Sequence, residues 1–204
     1  MSLVELLVTM LVLSLMTVLG WRALNGILAS RDALTGQLDA MRGHQLALAQ
    51  MEADCAQLLG SAAVDGQPTI SAAQGRLVLL RGVAGEAGVD QMQVVLYHGD
   101  GTRLMRSTSL PTRDLGLLRM AWRAALSGVA PRSGVALDQR VAAVELQTWN
   151  GGAWQAAGAT TSGRRLRTRR VVRPPTTDAR GLQVILRPTD SVGPLVRMFM
   201  LGGG

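Results

Sequence analysis

The side chains that could carry out chemistry are few and widely spaced. Cys55 is the single cysteine, and the two histidines, His44 and His98, stand 54 positions apart. This pattern contains no Ser/His/Asp or Cys/His arrangement and no ligand spacing typical of a metal site. Asp100, between two glycines, supplies one carboxylate where calcium prefers about six or more oxygens, so a hairpin turn is predicted there. We therefore expect no enzymatic activity and no cofactor, and we expect Cys55 to be a core residue.

Arginine is the other chemically distinctive side chain. All 21 basic residues are arginine, and the net charge is +7. Nine of them lie in residues 160–204, against two acids. A basic loop is predicted near residues 163–175, with candidate partner-docking side chains Arg164, Arg165, Arg167, Arg169, Arg170 and Arg173. Three interpretations stay open: a solvated loop, docking on an acidic patch of a partner, or binding of nucleic acid or anionic headgroups.

The first 22 residues are predicted to form a transmembrane helix. From Ser2 to Trp21 the only ionisable side chain is Glu5. Twenty helical residues span about 30 Å, the thickness of the hydrocarbon core of a bilayer. A cleaved secretory signal is the alternative, but a basic n-region and an A-x-A-like site are absent. We therefore expect a retained helix.

The helical pattern continues to about Leu59. Apolar residues recur at spacings of three and four through this segment: Leu24, Ile27, Leu28, Leu34, Leu38, Met41, Leu48, Met51, Cys55, Leu58 and Leu59. Charged residues are assigned to a solvated opposite face: Arg31, Asp32, Asp39, Arg42, Glu52 and Asp54. Residues 23–59 are therefore predicted to be an amphipathic continuation of the helix that packs on the rest of the protein.

Glu5 is the residue that needs an explanation. A carboxylate inside a bilayer costs about 2.5–3.5 kcal/mol at mid-membrane and is usually functional. Near the start of the chain it could equally lie among the headgroups, where the cost is small. The residues alone leave both interpretations open.

The sequence of residues 1–7, MSLVELL, followed by an apolar run, resembles the mature start of type IV pilins and type II secretion pseudopilins. Their usual form is Phe-Thr-Leu-Ile-Glu-Leu, so Met stands here where Phe is usual. The resemblance implies that Met1 is the processed and N-methylated residue produced by a prepilin peptidase. It also implies that Glu5 serves subunit assembly as the counter-charge for a neighbour's terminal amine. The implied filament-core residues are Leu3, Leu6, Leu7, Met10, Leu13 and Leu24.

Several later segments are similar to minor pseudopilin J of type II secretion systems. Residues 46–54, LALAQMEAD, resemble its helix-end pattern, with Ala53 where Arg is usual. Residues 93–106 resemble its central hairpin, residues 141–154 its strand, turn and Trp, and residues 180–186 its closing strand.

The chain after Leu59 is predicted to be β-rich. Strands are predicted in residues 75–81, 91–98, 102–108, 141–148, 182–187 and 195–201, with residues 115–125 ambiguous. The predicted class is α+β: a long N-terminal α-helix, transmembrane and then amphipathic, packed on a C-terminal antiparallel β-sheet head, as in pilins. The predicted segments are 1–22, 23–59 and the head, 60–204.

The resemblance implies a structural protein of the pseudopilus tip complex, which primes pseudopilus assembly for export of folded proteins across the outer membrane. Implied partners are minor pseudopilins I and K, the other pseudopilins, the prepilin peptidase and the inner membrane. The head would lie in the periplasm of a bacterium, below a single-pass anchor. The alternative is a minor pilin of a type IV pilus, for adhesion, motility or DNA uptake. A third class is a membrane-anchored nucleic-acid receptor, which the low aromatic content disfavours as a stacking surface.

Overall fold

The computed structural model describes residues 3–85, 90–131, 133–149, 152–157, 179–189 and 193–201. It begins with the helix α1, Leu3–Ala56, which ends three residues before the predicted Leu59. The chain divides into two compact units, an N-terminal unit, Met1–Arg42, and a head unit, Gly43–Gly204. The boundary falls within the segment 23–59 that was predicted to pack as one piece, and the buried residues of α1 begin at His44.

The N-terminal unit is helical throughout its described residues, and its large apolar side chains are exposed on every face. Its hydroxyl groups return to the helix backbone: Ser14 Oγ donates to Leu11 O at 3.0 Å, and Thr17 Oγ1 donates to Leu13 O at 2.8 Å. These bonds satisfy the polar groups of an otherwise apolar segment. Of the described helices, α1 is the one that is long and apolar enough to cross a membrane.

The described strands of the head unit form two antiparallel sheets. The first sheet has the order β1 to β5, with the strands Ile70–Ala73, Arg76–Ala84, Asp90–Gly99, Leu104–Thr108 and Ser133–Asp138. The second sheet has the order β7-β6-β8-β9, with β6 Val141–Trp149, β7 Trp154–Ala156, β8 Gly181–Pro188 and β9 Leu195–Met200. The predicted α+β class is thereby confirmed: the end of a long apolar helix packs on antiparallel sheets, consistent with a pilin-like fold.

Strand β2 explains why the first sheet is buried on both faces. Its run Leu77-Val78-Leu79-Leu80 is continuously apolar, as expected for a strand covered on two sides. Leu77 and Leu79 belong to a core shared by the two sheets and by Ala47, Met51 and Cys55 of α1. Val78 and Leu80 point the other way, into a second core under a second helix. Cys55 is buried in the first of these cores, as predicted.

The ambiguous segment is that second helix, α2, Leu115–Leu126. Asp114 caps it, because its carboxylate accepts hydrogen bonds from the backbone N–H groups of Gly116 and Leu117 at 2.6 and 3.2 Å. Leu118, Trp122 and Ala125 lie on its buried face and fill the second core. A short 3-10 helix, Ser61–Val64, adds the buried side chain of Val64 to the second core.

The predicted hairpin at Asp100 is confirmed. Asp100 Oδ1 accepts hydrogen bonds from the backbone N–H groups of Thr102 and Arg103 at 2.9 and 2.7 Å. These two backbone bonds lower the pKa of the Asp100 carboxyl group. The turn joins β3 to β4, whose register pairs Tyr97 with Arg106.

The burial of α1 in the head unit generates a stability prediction. Met51 is 0% exposed within the core, whereas Leu46, on the same helix, is 70% exposed. We expect Met51→Ala to lower the free energy of unfolding by about 2–5 kcal/mol, because it leaves a cavity. Leu46→Ala is the matched control and should change it by less than about 0.5 kcal/mol. Denaturant unfolding of both variants measures the difference, and similar losses would show that this part of α1 is not core.

Candidate functional site

The predicted assembly residues lie on opposite faces of the N-terminal unit. At about 100° per residue, the predicted filament-core side chains share a face roughly 120° wide. They are Leu3, Leu6, Leu7, Met10, Leu13 and Leu24, and all of them are exposed. Glu5 lies in the first turn of α1, is exposed, and points roughly 140° away from the centre of that face. The helix therefore presents an apolar face and, behind it, a face that carries one carboxylate.

The face of Glu5 continues into a shallow groove made by small side chains. Ala23 lies about five turns of helix after Glu5, and Ser30 about two turns further on. Gly26 lies between them, and Ile27, Arg31 and Leu34 line the same groove. Small residues at such spacing let another helix approach closely in an apolar environment. The two faces together offer contacts to neighbours on more than one side.

Two sets of predicted site residues lie outside the described residues. Met1, the predicted processing and methylation site, is one of them. The basic loop is the other, and all six of its candidate arginines fall within the undescribed residues 158–178. The turn predicted at Asn150-Gly151 also lies outside the described residues, although Trp149 and Trp154 on either side of it pair across β6 and β7.

Asp54 corrects the sequence prediction. It was assigned to the solvated face of α1, but its side chain is 0% exposed. Arg106 holds it with two bonds, from Nε to Oδ2 at 2.7 Å and from Nη2 to Oδ1 at 3.0 Å. Arg81 Nη1 donates to Oδ1 at 2.7 Å, and the hydroxyl of Tyr97 donates to Oδ2. We call these four residues the Asp54 cluster; its charges are buried because each one is paired.

The electrostatics of the Asp54 cluster follow from this burial. Burial raises the pKa of Tyr97 far above its ordinary value of 10.0, and the charge and hydrogen bond of Asp54 raise it further. Burial lowers the pKa of Arg106, but the hydrogen bond and the charge of Asp54 outweigh it, so the net shift is upward. The tyrosine thus stays a donor and the arginine stays a cation, which are the states that bond to the Asp54 carboxylate and hold it in place.

A second polar anchor stands at the other end of the buried part of α1. His44 Nδ1 donates to Asp138 Oδ2, and the backbone N–H of Arg140 donates to Asp138 Oδ1 at 3.0 Å. His44 and Asp54 are ten residues apart, with Ala47 and Met51 buried between them on the same side of the helix. Sequence reasoning assigned neither polar residue a role. The signal was their spacing, since both are in phase with the buried apolar residues.

The thiol of Cys55, next to Asp54 in the sequence, is buried and free. Burial raises the pKa of the Cys55 thiol to about 12, and the charges of Asp54 and Glu52 add to the shift. A thiol with that pKa is not an effective nucleophile near neutral pH. Within the described ranges, no group of three or more His, Cys, Asp or Glu side chains is placed to hold a metal ion.

The Asp54 cluster predicts a large effect of a small substitution. Asp54→Asn keeps the shape but removes the negative charge, and it leaves two partly buried arginines without their counter-ion. We expect a loss of about 3–5 kcal/mol in the free energy of unfolding. Glu145→Gln breaks the exposed 2.6 Å pair with Arg187 and is the matched control, with an expected loss of about 0–1 kcal/mol. Equal losses in denaturant unfolding would contradict the role of burial.

The burial of Tyr97 predicts how stability depends on pH. Its ionisation can be followed by absorbance without interference, because Tyr97 is the single tyrosine in the chain. Its pKa is raised in the folded state, so its contribution to stability is complete below about pH 10 and is lost as the pH rises above that value. Absorbance of tyrosinate should stay low in the folded protein at about pH 10–11, whereas the protein in guanidinium chloride should titrate near pH 10. A folded protein that titrates near pH 10 would contradict this burial.

No protein-family model matches the chain, and no curated protein matches it.

Proposed function

We propose that this protein is a structural minor pseudopilin of a type II secretion system, similar to pseudopilin J. It assembles through its N-terminal helix with other pseudopilins into the tip complex that primes the pseudopilus. One observation carries the proposal: an exposed apolar helix bearing a single carboxylate in its first turn continues without a break into a β-sheet head that buries its other end.

The N-terminal unit needs partners of its own kind. Large apolar side chains from Leu3 to Trp21 are exposed around the whole helix, and Glu5 is the one ionisable residue in this span. A helix that is apolar on all sides is stable in lipid or among other apolar helices. A pseudopilin uses both environments in turn, the inner membrane before assembly and the filament core afterwards. The exposed leucine face and the small-residue groove behind it supply contacts for the second environment.

Glu5 supplies the specific interaction in this assembly. Among the described residues it has no ion pair and no hydrogen bond from another side chain. An uncompensated carboxylate is costly in an apolar environment, whereas an adjacent cation makes it favourable. The terminal amine of a neighbouring subunit is such a cation, and in a low-dielectric filament core the pair fixes the position of one helix against the next.

The head unit carries out no chemistry in this proposal. It lies in the periplasm, and its two sheets hold the end of α1 and present surfaces to minor pseudopilins I and K. A prepilin peptidase exposes the terminal amine at Met1. A minor pilin of a type IV pilus would use the same N-terminal helix, so co-purified partners separate the two: secretion pseudopilins in the first case, pilus subunits in the second.

Glu5 gives the direct test. Glu5→Ala should leave the protein folded and inserted in the membrane at wild-type amounts, because the carboxylate stabilises neither state alone. Cross-linking to partner pseudopilins in native membranes should fall about tenfold or more, the loss expected for one charge of an apolar ion pair. Export of a secreted substrate should fall with it.

Asp32→Ala is the matched control, since Asp32 is an exposed carboxylate on the same helix, beyond the apolar span. It should assemble and support export like the wild type. If Glu5→Ala also assembles normally, Glu5 has no role in assembly and the proposed function loses its main support.

A further inference from the structure

A cleft of about 300 Å³ lies on the head unit between α2 and the segment that leads into β1. Its principal lining residues are Gln67, Ile70, Arg119, Trp122, Arg123 and Leu126. The four from α2 are spaced i, i+3, i+4 and i+7, so they share one face of that helix. We call this the α2 cleft.

The floor of the α2 cleft is apolar. Trp122 and Ile70 are buried at its base, and Leu126 at its rim is 39% exposed. The volume is at the lower end of the range for small-molecule and peptide sites, about 300–1,000 Å³, and suits one or two side chains. An apolar group that enters the cleft would cover the indole and the leucine.

The rim of the α2 cleft is cationic. Arg119 Nη2 donates to Asp65 Oδ2 at 2.8 Å, but both side chains are substantially exposed, so the pair is weak and can be exchanged. Arg123 is exposed and has no acidic partner among the described residues. A guanidinium group in this position is suited to a carboxylate, which it can bind with two parallel hydrogen bonds.

Gln67 supplies an independent observation. Its Nε2 atom is inaccessible to solvent and has no hydrogen-bond acceptor among the described residues. A buried donor without an acceptor is unfavourable, and such groups are rare in folded proteins. Gln67 lines the same cleft as the two arginines. The cleft thus combines an unused amide donor, an unpaired guanidinium group and an apolar floor.

We propose that the α2 cleft binds an acidic peptide segment of a partner protein, in which an Asp or Glu carboxylate stands beside an apolar side chain. The carboxylate accepts hydrogen bonds from Arg123, and Arg119 adds its charge. A turn of the Gln67 side chain toward the cleft brings its amide donor to the same carboxylate. The neighbouring apolar side chain packs on Trp122 and Leu126. The site belongs to the head unit and does not depend on assembly through the N-terminal helix.

The test uses the full-length protein in phosphatidylcholine nanodiscs. The probe is the peptide acetyl-Gly-Leu-Glu-Leu-amide carrying a fluorescent dye, whose anisotropy reports binding. The matched peptide has Gln in place of Glu and should bind about tenfold more weakly or worse, because it lacks the charge. Arg123→Gln should weaken binding of the Glu peptide by a similar factor. Arg197→Gln removes an exposed arginine on β9 and should change binding by less than about twofold.

Gln67→Leu separates binding from stability. It removes the unsatisfied donor, so the melting temperature of the free protein should stay the same or rise, while affinity for the Glu peptide falls. The proposal is overturned if the Glu peptide does not bind, or if the two peptides bind equally. It is also overturned if Arg123→Gln and Arg197→Gln weaken binding alike, or if inorganic phosphate displaces the peptide at equal concentration.

Discussion

One buried carboxylate organises the head unit. Asp54, near the end of α1, is bonded to side chains from three adjacent strands: Arg81 on β2, Tyr97 on β3 and Arg106 on β4. A buried charge is tolerated only where its partners are fixed in position, so the helix end and the three strands constrain each other. The apolar core of Met51, Leu77 and Leu79 forms beside this cluster. Hydrophobic burial supplies most of the stability there, and the charges specify where the helix lies on the sheet.

The two carboxylates near the ends of α1 follow the same rule with different partners. Asp54 finds its cations within the chain, in strands that the fold brings to it. Glu5 has no ion-pair partner among the described residues, and it stands on a helix whose apolar surface is exposed. The interaction that is intramolecular at one end of the helix is, in our proposal, intermolecular at the other. In that proposal, the head is stable by itself, and Glu5 of the N-terminal helix finds its partner on a neighbouring subunit.

The sequence predicted the class of fold and most strands, because long periodic segments carry a strong local signal. It missed β1, whose four residues Ile70–Ala73 are mostly small, and it also missed β5 and β7. It left α2 unassigned although Asp114 stands at its cap. It was wrong about Asp54. Local patterns place a charged residue on the solvated face, and the partners that bury Asp54 lie 27, 43 and 52 positions away in sequence. The α2 cleft could not be predicted either, because it lies between α2 and the segment before β1, and neither α2 nor β1 was assigned from the sequence.

The chain carries an excess of positive charge that comes entirely from arginine. The chain has 21 arginines and 14 acids, a difference of seven, so at least seven arginines cannot each have an acid of their own. Asp54 pairs with both Arg81 and Arg106, so the remaining 19 arginines and 13 acids still differ by six. Arg123 faces solvent and has no carboxylate partner in the part of the chain that the structure describes. Since an unpaired guanidinium group attracts carboxylates and phosphates over about a Debye length, the head unit is electrostatically complementary to acidic partners before any contact forms.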